Sequence, residues 1–442
     1  MKSRGCALIL TILVTLLAHP VGAQSDPVHE IYFDTLRTGD VQPTQVAVED
    51  MTFIGNQYIT GDDSTLMTWV TRIIRYDVDF YADFSLVEAD SFYMKLYEMT
   101  EMTLLGWKRL GASFAVRLEA EFPVNNIRVR WRIFDVNNQQ RIAGSVEEMP
   151  KTQWRNLAHN IANEIVRTLT GEPGIFRTRI VYAREMGDGA KELFIADFDG
   201  ANERQLTKTG TINLSPCFHP TRDEIYFISY LEGPPQLYKV GIFNAKMEKV
   251  AGFPGIVAAP AISPDGRMIA CVLSKDGNSE IYVLDLDGRI IKRLTRHPAI
   301  ETAPTWSPDG RHIAFASDRT GSPQIYIMDS DGLETRRLTF QGRYNDSPIW
   351  SARGDRITFV SRTQHGRFDL ASIDTSGLDY RIHTQVGHNE NPHFSPDGKH
   401  IIFSSNRLGP RDIYAMDLSG RNQRRITRHG QCSNPDWGPI PR

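Results

Sequence analysis

The sequence predicts a mainly β protein in which a small α/β domain precedes a six-bladed β-propeller. Three observations lead to this fold class. One sequence unit recurs six times, each unit contains signals for four strands, and the landmarks at the two ends of the array close a ring. We therefore assign residues 24–172 to an N-terminal tail and α/β domain, and residues 173–442 to a propeller closed by its C-terminal strand.

The repeat is defined by a proline that opens each unit. Successive opening prolines are 44, 44, 44, 44 and 43 residues apart, and a bulky residue such as Trp306 or Trp350 follows two positions later. The best-preserved turn, Ser-Pro-Asp-Gly, occupies residues 263–266, 307–310 and 395–398, where proline and aspartate favour the turn and glycine accommodates a positive φ. The opening prolines are Pro216, Pro260, Pro304, Pro348, Pro392 and Pro435.

Each unit also contains three further strand signals. Residues 313–317 alternate between apolar and small side chains after the turn, and a third strand begins near Ile325. A second tight turn at 331–332 then leads into a short fourth strand at 337–339. Four strands within about 44 residues, separated by turn signals, are typical of a propeller blade.

The order of the landmarks predicts how the ring closes. Among the six strands that stand third in their units, the earliest begins at Leu193, before the first opening proline. The last opening proline, Pro435, follows the latest of these strands. One blade is therefore split, with residues 180–207 supplying its outer three strands and residues 435–438 its innermost strand. Pairing the two ends removes the free sheet edge that the alternative, an open solenoid, would expose.

Strand polarity sorts the loops onto two faces of the disc. The Ser-Pro-Asp-Gly turns lie on one face, while the loops that enter each opening proline share the other with the loops between the second and third strands. This second face has the longer and more varied loops, where binding residues concentrate. The residue before each opening proline is small or polar, as a narrow channel rim requires. We expect the binding residues at Ile256, Ala259, Thr302, Ala303, Asp346, Ser347, Asn391 and Asn434, with Arg319 and Arg407 in the outer loops.

The N-terminal third predicts alternating strands and helices. Residues 45–49 and 126–136 have strand patterns, the second with Ile127, Val129, Trp131 and Ile133 on one face. Residues 65–76 have helical spacing, with Asp62, Asp63 or Ser64 as the N-cap. Residues 154–169 form a second helix with a buried stripe of Leu157, Ile161, Ile165 and Leu169, and residues 171–174 end it and mark the linker.

The first 23 residues predict a secretory signal peptide. Lys2 and Arg4 precede an apolar run at 7–18, and small residues at 21–23 suit cleavage after Ala23. The run is shorter than the roughly 20 residues of a membrane-spanning helix, which argues against an uncleaved anchor. Removing Cys6 leaves three cysteines, so either Cys217 and Cys432 form a bridge or all three are buried thiols.

Composition and motifs argue against several functions. The net charge of −3 does not fit a nucleic-acid binder. The sequence has no nucleophile elbow, P-loop, dinucleotide fingerprint or His-Glu-x-x-His motif, so we expect no catalytic residues. The Asp-x-Asp-Gly turns at 285–288 and 329–332 lack the closing glutamate of a calcium loop. Equivalent histidines lie in different blades, too far apart to share one ion, so we expect no metal and no cofactor.

The junction between the two domains has the most specific family signature. Residues 169–171 read Leu-Thr-Gly, and residues 174–182 read Gly-Ile-Phe-Arg-Thr-Arg-Ile-Val-Tyr. With Trp154 and His159 in the preceding helix, the Ser-Pro-Asp-Gly turns and the closing Pro-Asp-Trp at 435–437, the chain resembles the TolB family, the periplasmic propeller proteins of the Tol-Pal system.

The resemblance implies a periplasmic binding protein, not an enzyme. It implies that Pal, the peptidoglycan-associated lipoprotein, docks over the propeller mouth at residues 256–259 and 302–303, with the other rim loops around them. It further implies that a TolA-like inner-membrane protein binds the N-terminal segment, supporting envelope integrity and constriction during cell division. We expect a monomer without direct membrane insertion. The alternatives are a small-molecule or glycan-binding propeller accessory to an envelope enzyme, and a channel-sited lyase or hydrolase, for which no converging ligands are found.

Overall fold

A computed structural model describes residues 42–55, 59–88, 102–363 and 366–441 of the chain. The predicted signal peptide and the tail up to residue 41 lie outside these residues. Within the described residues, no helix has both the length and the apolar character needed to cross a membrane.

The N-terminal domain is a mixed sheet packed against helices, as the sequence predicts. The strands follow the order β3-β1-β4-β5-β6, with β2 paired to β4, and β1 is parallel to both of its neighbours. The strands are β1 (Thr44–Val48), β2 (Thr52–Phe53), β3 (Phe84–Leu86), β4 (Phe114–Glu121), β5 (Asn126–Asp135) and β6 (Gln140–Pro150), and the helices are α1 (Gly61–Phe80), α2 (Met102–Arg109) and α3 (Trp154–Thr170).

The first helix begins earlier than its sequence pattern indicates. Thr60 is the N-cap of α1, and its hydroxyl accepts a hydrogen bond from the backbone N–H of Asp63 at 3.1 Å. The predicted caps Asp62, Asp63 and Ser64 are therefore wrong. Asp62 and Asp63 instead occupy the first turn, where carboxylates interact favourably with the positive end of the helix dipole.

The second predicted helix is confirmed as α3. Leu157, Ile161 and Ile165 are buried and Leu169 is partly buried, as the apolar stripe requires. The helix ends at Gly171, whose φ of 78° is a left-handed conformation that glycine adopts without steric cost. On β5, Ile127, Val129, Trp131 and Ile133 are buried on one face, as predicted.

Six four-stranded antiparallel sheets form the propeller and confirm the predicted blade count. Blade 1 combines β7 (Arg179–Glu185), β8 (Lys191–Asp197), β9 (Arg204–Gln205) and β30 (Cys432–Trp437). Blade 2 consists of β10 (Asn213–Phe218), β11 (Glu224–Ser229), β12 (Gln236–Gly241) and β13 (Met247–Ala251). Blade 3 consists of β14 (Val257–Ile262), β15 (Met268–Leu273), β16 (Glu280–Asp285) and β17 (Ile290–Arg293). Blade 4 is β18 (Glu301–Trp306), β19 (His312–Ser317), β20 (Gln324–Asp329), β21 (Arg336–Arg337). Blade 5 consists of β22 (Asn345–Trp350), β23 (Arg356–Arg362), β24 (Phe368–Asp374) and β25 (Arg381–Ile382). Blade 6 consists of β26 (Asn389–Phe394), β27 (His400–Ser405), β28 (Asp412–Asp417) and β29 (Arg424–Arg425).

The ring closes through the last strand, as the landmark order predicts. β30 pairs antiparallel with β7, placing Trp437 opposite Ile180. The indole N–H of the buried Trp437 donates to the hydroxyl of Thr178 at 2.8 Å. Hydrogen bonds between the two ends of the array thus replace the free edge of an open array.

The three cysteines of the propeller are free thiols, so the Cys217–Cys432 bridge left open by the sequence is not formed. Burial raises the pKa of both Cys271 and Cys432 to about 12. These thiols therefore remain protonated and unreactive at neutral pH.

The N-terminal domain packs on the propeller face that carries the Ser-Pro-Asp-Gly turns. The Tyr81 hydroxyl donates to Asp397 at 2.7 Å, within the turn of blade 6. Arg424, also in blade 6, donates to Asp79 at 2.7 Å, and Arg353 of blade 5 donates to Glu172 at 2.6 Å. We call this the covered face, and the opposite side the mouth face.

Candidate functional site

Each innermost strand contains a β-bulge just before its proline. The register shifts at the same place in all six strands, for example between Thr302 and Thr305 of β18. Proline has no N–H to donate, so it suits a bulge. The residue before it has a left-handed φ of 47° to 54°, at Ser215, Ala259, Ala303, Ser347, Asn391 and Asn434. Two requirements therefore restrict the residue type at this position: the left-handed backbone conformation and the limited width of the channel.

The six bulges surround a central channel of about 290 Å³. Five of the predicted site residues line it, namely Ala259, Ala303, Ser347, Asn391 and Asn434. Trp306 and Trp350 line it nearer the covered face, because they lie at the far ends of their strands. The channel wall is thus formed by equivalent positions of all six blades.

An ion pair lies within the channel wall. His393 Nε2 is 2.6 Å from Asp436 Oδ1, and Asp436 also accepts the backbone N–H groups of Phe218 and Trp437. Burial lowers the pKa of His393, but attraction to the Asp436 carboxylate outweighs this effect and raises the pKa overall. Among the described residues, no three His, Cys, Asp or Glu side chains are grouped so that they could hold a metal ion.

The channel opens onto six loops that connect the fourth strand of one blade to the first strand of the next. We call these the mouth loops. Isoleucine occupies the same position, four residues before the opening proline, in three of them: Ile212 is 37% exposed, Ile256 50% and Ile300 51%. Phe340 and Val386 add exposed apolar surface. The mouth loops are residues 206–212, 252–256, 294–300, 338–344, 383–388 and 426–431.

Sequence reasoning identified Ile256 but missed Ile212 and Ile300. The signal was available, since the three isoleucines are 44 residues apart and share one repeat position. Groups of exposed large apolar side chains are uncommon on soluble proteins, and those that occur mark interaction surfaces. The three isoleucines therefore indicate a binding surface at the mouth.

The two predicted arginines, Arg319 and Arg407, contact residues of the blades and do not face the channel. The Arg319 guanidinium is 3.1 Å from Glu301 and stacks over Tyr326, and that of Arg407 donates to Asn389 at 2.9 Å and stacks over Tyr414. Neither arginine lines the channel. Thr302 and Asp346 are partly buried at the start of their bulges, where Asp346 accepts the Tyr344 hydroxyl at 2.9 Å.

A repeated hydrogen-bond joint fixes the mouth loops to the blades. In five blades a threonine hydroxyl accepts a third-strand backbone N–H at 2.9 Å, as Thr384 does from Leu370. At three junctions an asparagine of the next blade donates to the acid or amide that begins the third strand. These bonds are Asn213 to Glu192 at 3.0 Å, Asn345 to Gln324 at 2.9 Å and Asn389 to Asp369 at 3.2 Å.

The other three junctions lack this asparagine. Val257 and Cys432 occupy its position at two of them, and between blades 3 and 4 Glu301 stands there, so a second buried carboxylate faces Glu280. Each glutamate leaves one buried oxygen without a hydrogen-bond partner among the described residues. Burial raises the pKa of Glu301, and the Glu280 charge raises it further, while Arg319 opposes the shift.

Comparison with known proteins gives two family matches. Residues 166–441 match the TolB beta propeller domain, and residues 35–142 match the TolB amino-terminal domain. The crystal structure of TolB from Acinetobacter baumannii superposes with a TM-score of 0.79 at 26% identity, covering 90% of this chain and 97% of that chain.

Curated relatives agree with these matches. The Tol-Pal system protein TolB of Rickettsia akari (strain Hartford) and that of Rickettsia africae (strain ESF-5) are each 32% identical over 243 residues, 54% of this chain and 53% of theirs. The chain thus spans about half the length of the curated relatives it matches. Because the propeller match alone covers more than half of the sequence and includes all six blades, the chain belongs to the TolB family.

Proposed function

We propose that this chain is a periplasmic binding protein of a Tol-Pal-type envelope system, and that its mouth face docks a peptidoglycan-associated lipoprotein. The observation that carries the proposal is the set of exposed isoleucines around the channel, Ile212, Ile256 and Ile300. The relatives named Tol-Pal system protein TolB support the choice of system. On this proposal the chain acts by binding and not by catalysis.

The geometry of the two faces supports the mouth as the docking surface. The covered face already packs against the N-terminal domain through Tyr81, Asp79 and Glu172. The mouth loops present apolar side chains on short connections. Five of them are held by the threonine joint, and in the sixth the Ser274 hydroxyl accepts the backbone N–H of Ile256 at 2.8 Å. A surface fixed in this way loses little conformational entropy when a partner binds.

The proposal includes a second partner. By family resemblance, the N-terminal segment before β1 binds a TolA-like inner-membrane protein, so that the chain links two envelope layers and supports envelope integrity and constriction during cell division. Deleting residues 24–41 should then abolish capture of the TolA-like protein and leave lipoprotein capture unchanged. Loss of both activities would contradict this assignment.

The docking surface is tested by capturing the lipoprotein from envelope extract. We use the triple variant Ile212→Ser, Ile256→Ser, Ile300→Ser, because replacing Ala259 with a bulky residue would strain its left-handed backbone at φ 47°. The matched control is Phe243→Ser, Leu333→Ser, Leu378→Ser, three exposed apolar residues in turns on the opposite side of the disc.

We expect the isoleucine triple to lose capture by at least about tenfold, since central apolar contacts dominate most interfaces. The control triple should capture the lipoprotein as well as wild type does. Equal capture by both triples would contradict the mouth as the docking surface. Absence of lipoprotein capture by wild type would contradict the proposed system itself.

A further inference from the structure

The mouth loops differ in charge from the rest of the chain. The whole sequence has 50 basic and 53 acidic residues, a net charge of −3. The six mouth loops contain no aspartate or glutamate, but they do contain four basic residues: Lys208, Arg296, Arg343 and Arg428. Three of these, Lys208, Arg296 and Arg428, occupy the same repeat position, directly after the joint threonine.

These four basic side chains are exposed, and none forms a hydrogen bond or ion pair with another residue of the described ranges. On the covered face, by contrast, some basic residues are paired: Lys399 lies 2.8 Å from Asp83 and Arg424 lies 2.7 Å from Asp79. Lys208, Arg296, Arg343 and Arg428 therefore have no ion-pair partner among the residues that the structure describes.

Four carboxylates near the mouth form hydrogen bonds or ion pairs with neighbouring residues. Asp318 accepts the backbone N–H of Ile300 at 2.8 Å, and Glu390 pairs with Arg411 at 2.8 Å. Glu301 pairs with Arg319, and Asp346 accepts the hydroxyl of Tyr344. Glu301 and Glu390 are thus neutralised by their own arginines, whereas Asp318 and Asp346 keep their charge; the four cations of the mouth loops still outnumber these two carboxylates.

We infer that the mouth recognises an acidic protein surface, one with an apolar centre that covers Ile212, Ile256 and Ile300 and carboxylates that meet Lys208, Arg296 and Arg428. The inference rests on the proposed docking of a lipoprotein and specifies the chemistry of the surface that docks. Unpaired cations around an apolar centre attract a complementary partner at long range and disfavour basic competitors.

Such rim charges act mainly on the rate of association. Complementary charges raise the association rate constant by one to three orders of magnitude at low salt, and the gain falls as ionic strength shortens the screening length. Dissociation depends more on the apolar centre, because these contacts are desolvated in the complex. The charged and apolar parts of the mouth therefore have separable kinetic signatures.

The test compares two charge-reversal triples of equal net charge. The first is Lys208→Glu, Arg296→Glu, Arg428→Glu in the mouth loops. The control is Arg222→Glu, Arg267→Glu, Arg311→Glu, three exposed arginines in the turns of the opposite side. The probe is the Pal-type lipoprotein of the source cell, purified without its lipid anchor, and binding kinetics are measured at about 20 mM and 300 mM salt. Thermal melts check that all variants fold.

We expect the mouth triple to lower the association rate constant about 10- to 100-fold at low salt, with a dissociation rate within about threefold of wild type. The control triple should stay within about twofold. Equal association rates for the two triples, or a wild-type rate independent of salt, would overturn the inference. If the charge inference fails in this way but the isoleucine triple still loses lipoprotein capture, the proposed docking function stands and only the acidic character of the partner surface is refuted. A wild-type protein that does not bind the lipoprotein would overturn both.

Discussion

The two faces of the propeller each bury a histidine, but in opposite electrostatic settings. On the covered face, His159 of α3 lies 2.7 Å from the carboxylate of Asp77 on α1. On the mouth face, His383 begins a mouth loop, and its imidazole Nε2 lies 2.7 Å from the hydroxyl of Ser372. The first histidine is held by a charge from its own domain, and the second occupies a position where other blades have an aliphatic residue.

These settings shift the two pKa values in opposite directions. Burial lowers the pKa of His159, but the Asp77 carboxylate outweighs that effect and raises the pKa overall. Burial lowers the pKa of His383 to about 4, and Arg356 and Arg381 lower it further. The Asp77 carboxylate therefore favours a charged imidazole at His159, whereas burial near two arginines favours a neutral one at His383.

The largest expected effect is on the covered face. His159→Ala leaves the buried Asp77 carboxylate without its cation, so we expect the free energy of unfolding to fall by about 3–5 kcal/mol. Urea denaturation at pH 7 measures it. His429→Ala is the matched control, since His429 is exposed on the mouth face and its loss should cost less than about 0.5 kcal/mol. A cost below about 1 kcal/mol for His159→Ala would show that the pair is not a stabilising contact.

The second prediction concerns acid stability and the mouth face. Because the folded-state pKa of His383 is below its unfolded value of 6.5, the folded state binds its proton less tightly, and stability falls as the pH drops below 6.5 towards about 4. The full loss is about 3 kcal/mol. His383→Leu should remove this component, because Leu206, Leu294 and Leu338 occupy the equivalent position.

The measurement is the free energy of unfolding of wild type and His383→Leu between pH 7.5 and pH 4. We expect the difference between the two proteins to change by about 3 kcal/mol across that range, in favour of the leucine variant at acid pH. Parallel pH profiles would mean that His383 does not titrate as its burial requires.

The third prediction concerns the irregular joint between blades 3 and 4. Glu301→Asn should raise the free energy of unfolding by about 1 kcal/mol, because it replaces a buried carboxylate that faces Glu280 with a neutral amide that can donate to Glu280. Blade 6 shows the expected outcome, with Asn389 donating to Asp369 and accepting from Arg407. Asn389→Glu is the reverse control and should destabilise. A destabilised Glu301→Asn variant would indicate that the contacts of Glu301 with Arg319 and Ser317 outweigh the cost of burying its carboxylate.

The smallest effect is expected at the exposed isoleucines. Ile300→Ser should change the free energy of unfolding by less than about 0.5 kcal/mol, because half of the side chain is already in solvent. Ile313→Ser, on the adjacent strand with a buried side chain, is the control and should cost at least about 2 kcal/mol. A stability cost at Ile300 comparable with that of Ile313 would assign Ile300 to the core and not to a docking surface.

Much of the candidate site could be predicted from the repeat. The positions before the opening prolines line the channel because all six blades place equivalent residues at equivalent radii. The places of Arg319 and Arg407 could not be predicted in the same way. They occupy equivalent repeat positions, but their contacts with Glu301 and Asn389 depend on which residue begins the neighbouring inner strand.

The sequence by itself determined the six blades, their four-strand pattern and the closure by β30, because turn chemistry and strand alternation act within about 44 residues. Only the tertiary structure decided which face the N-terminal domain covers. That choice depends on contacts between residues more than 300 positions apart, such as Tyr81 with Asp397 and Arg424 with Asp79. The helix cap was likewise decided by geometry, since Thr60, Asp62, Asp63 and Ser64 are all chemically able to cap a helix and only the chain path selects Thr60.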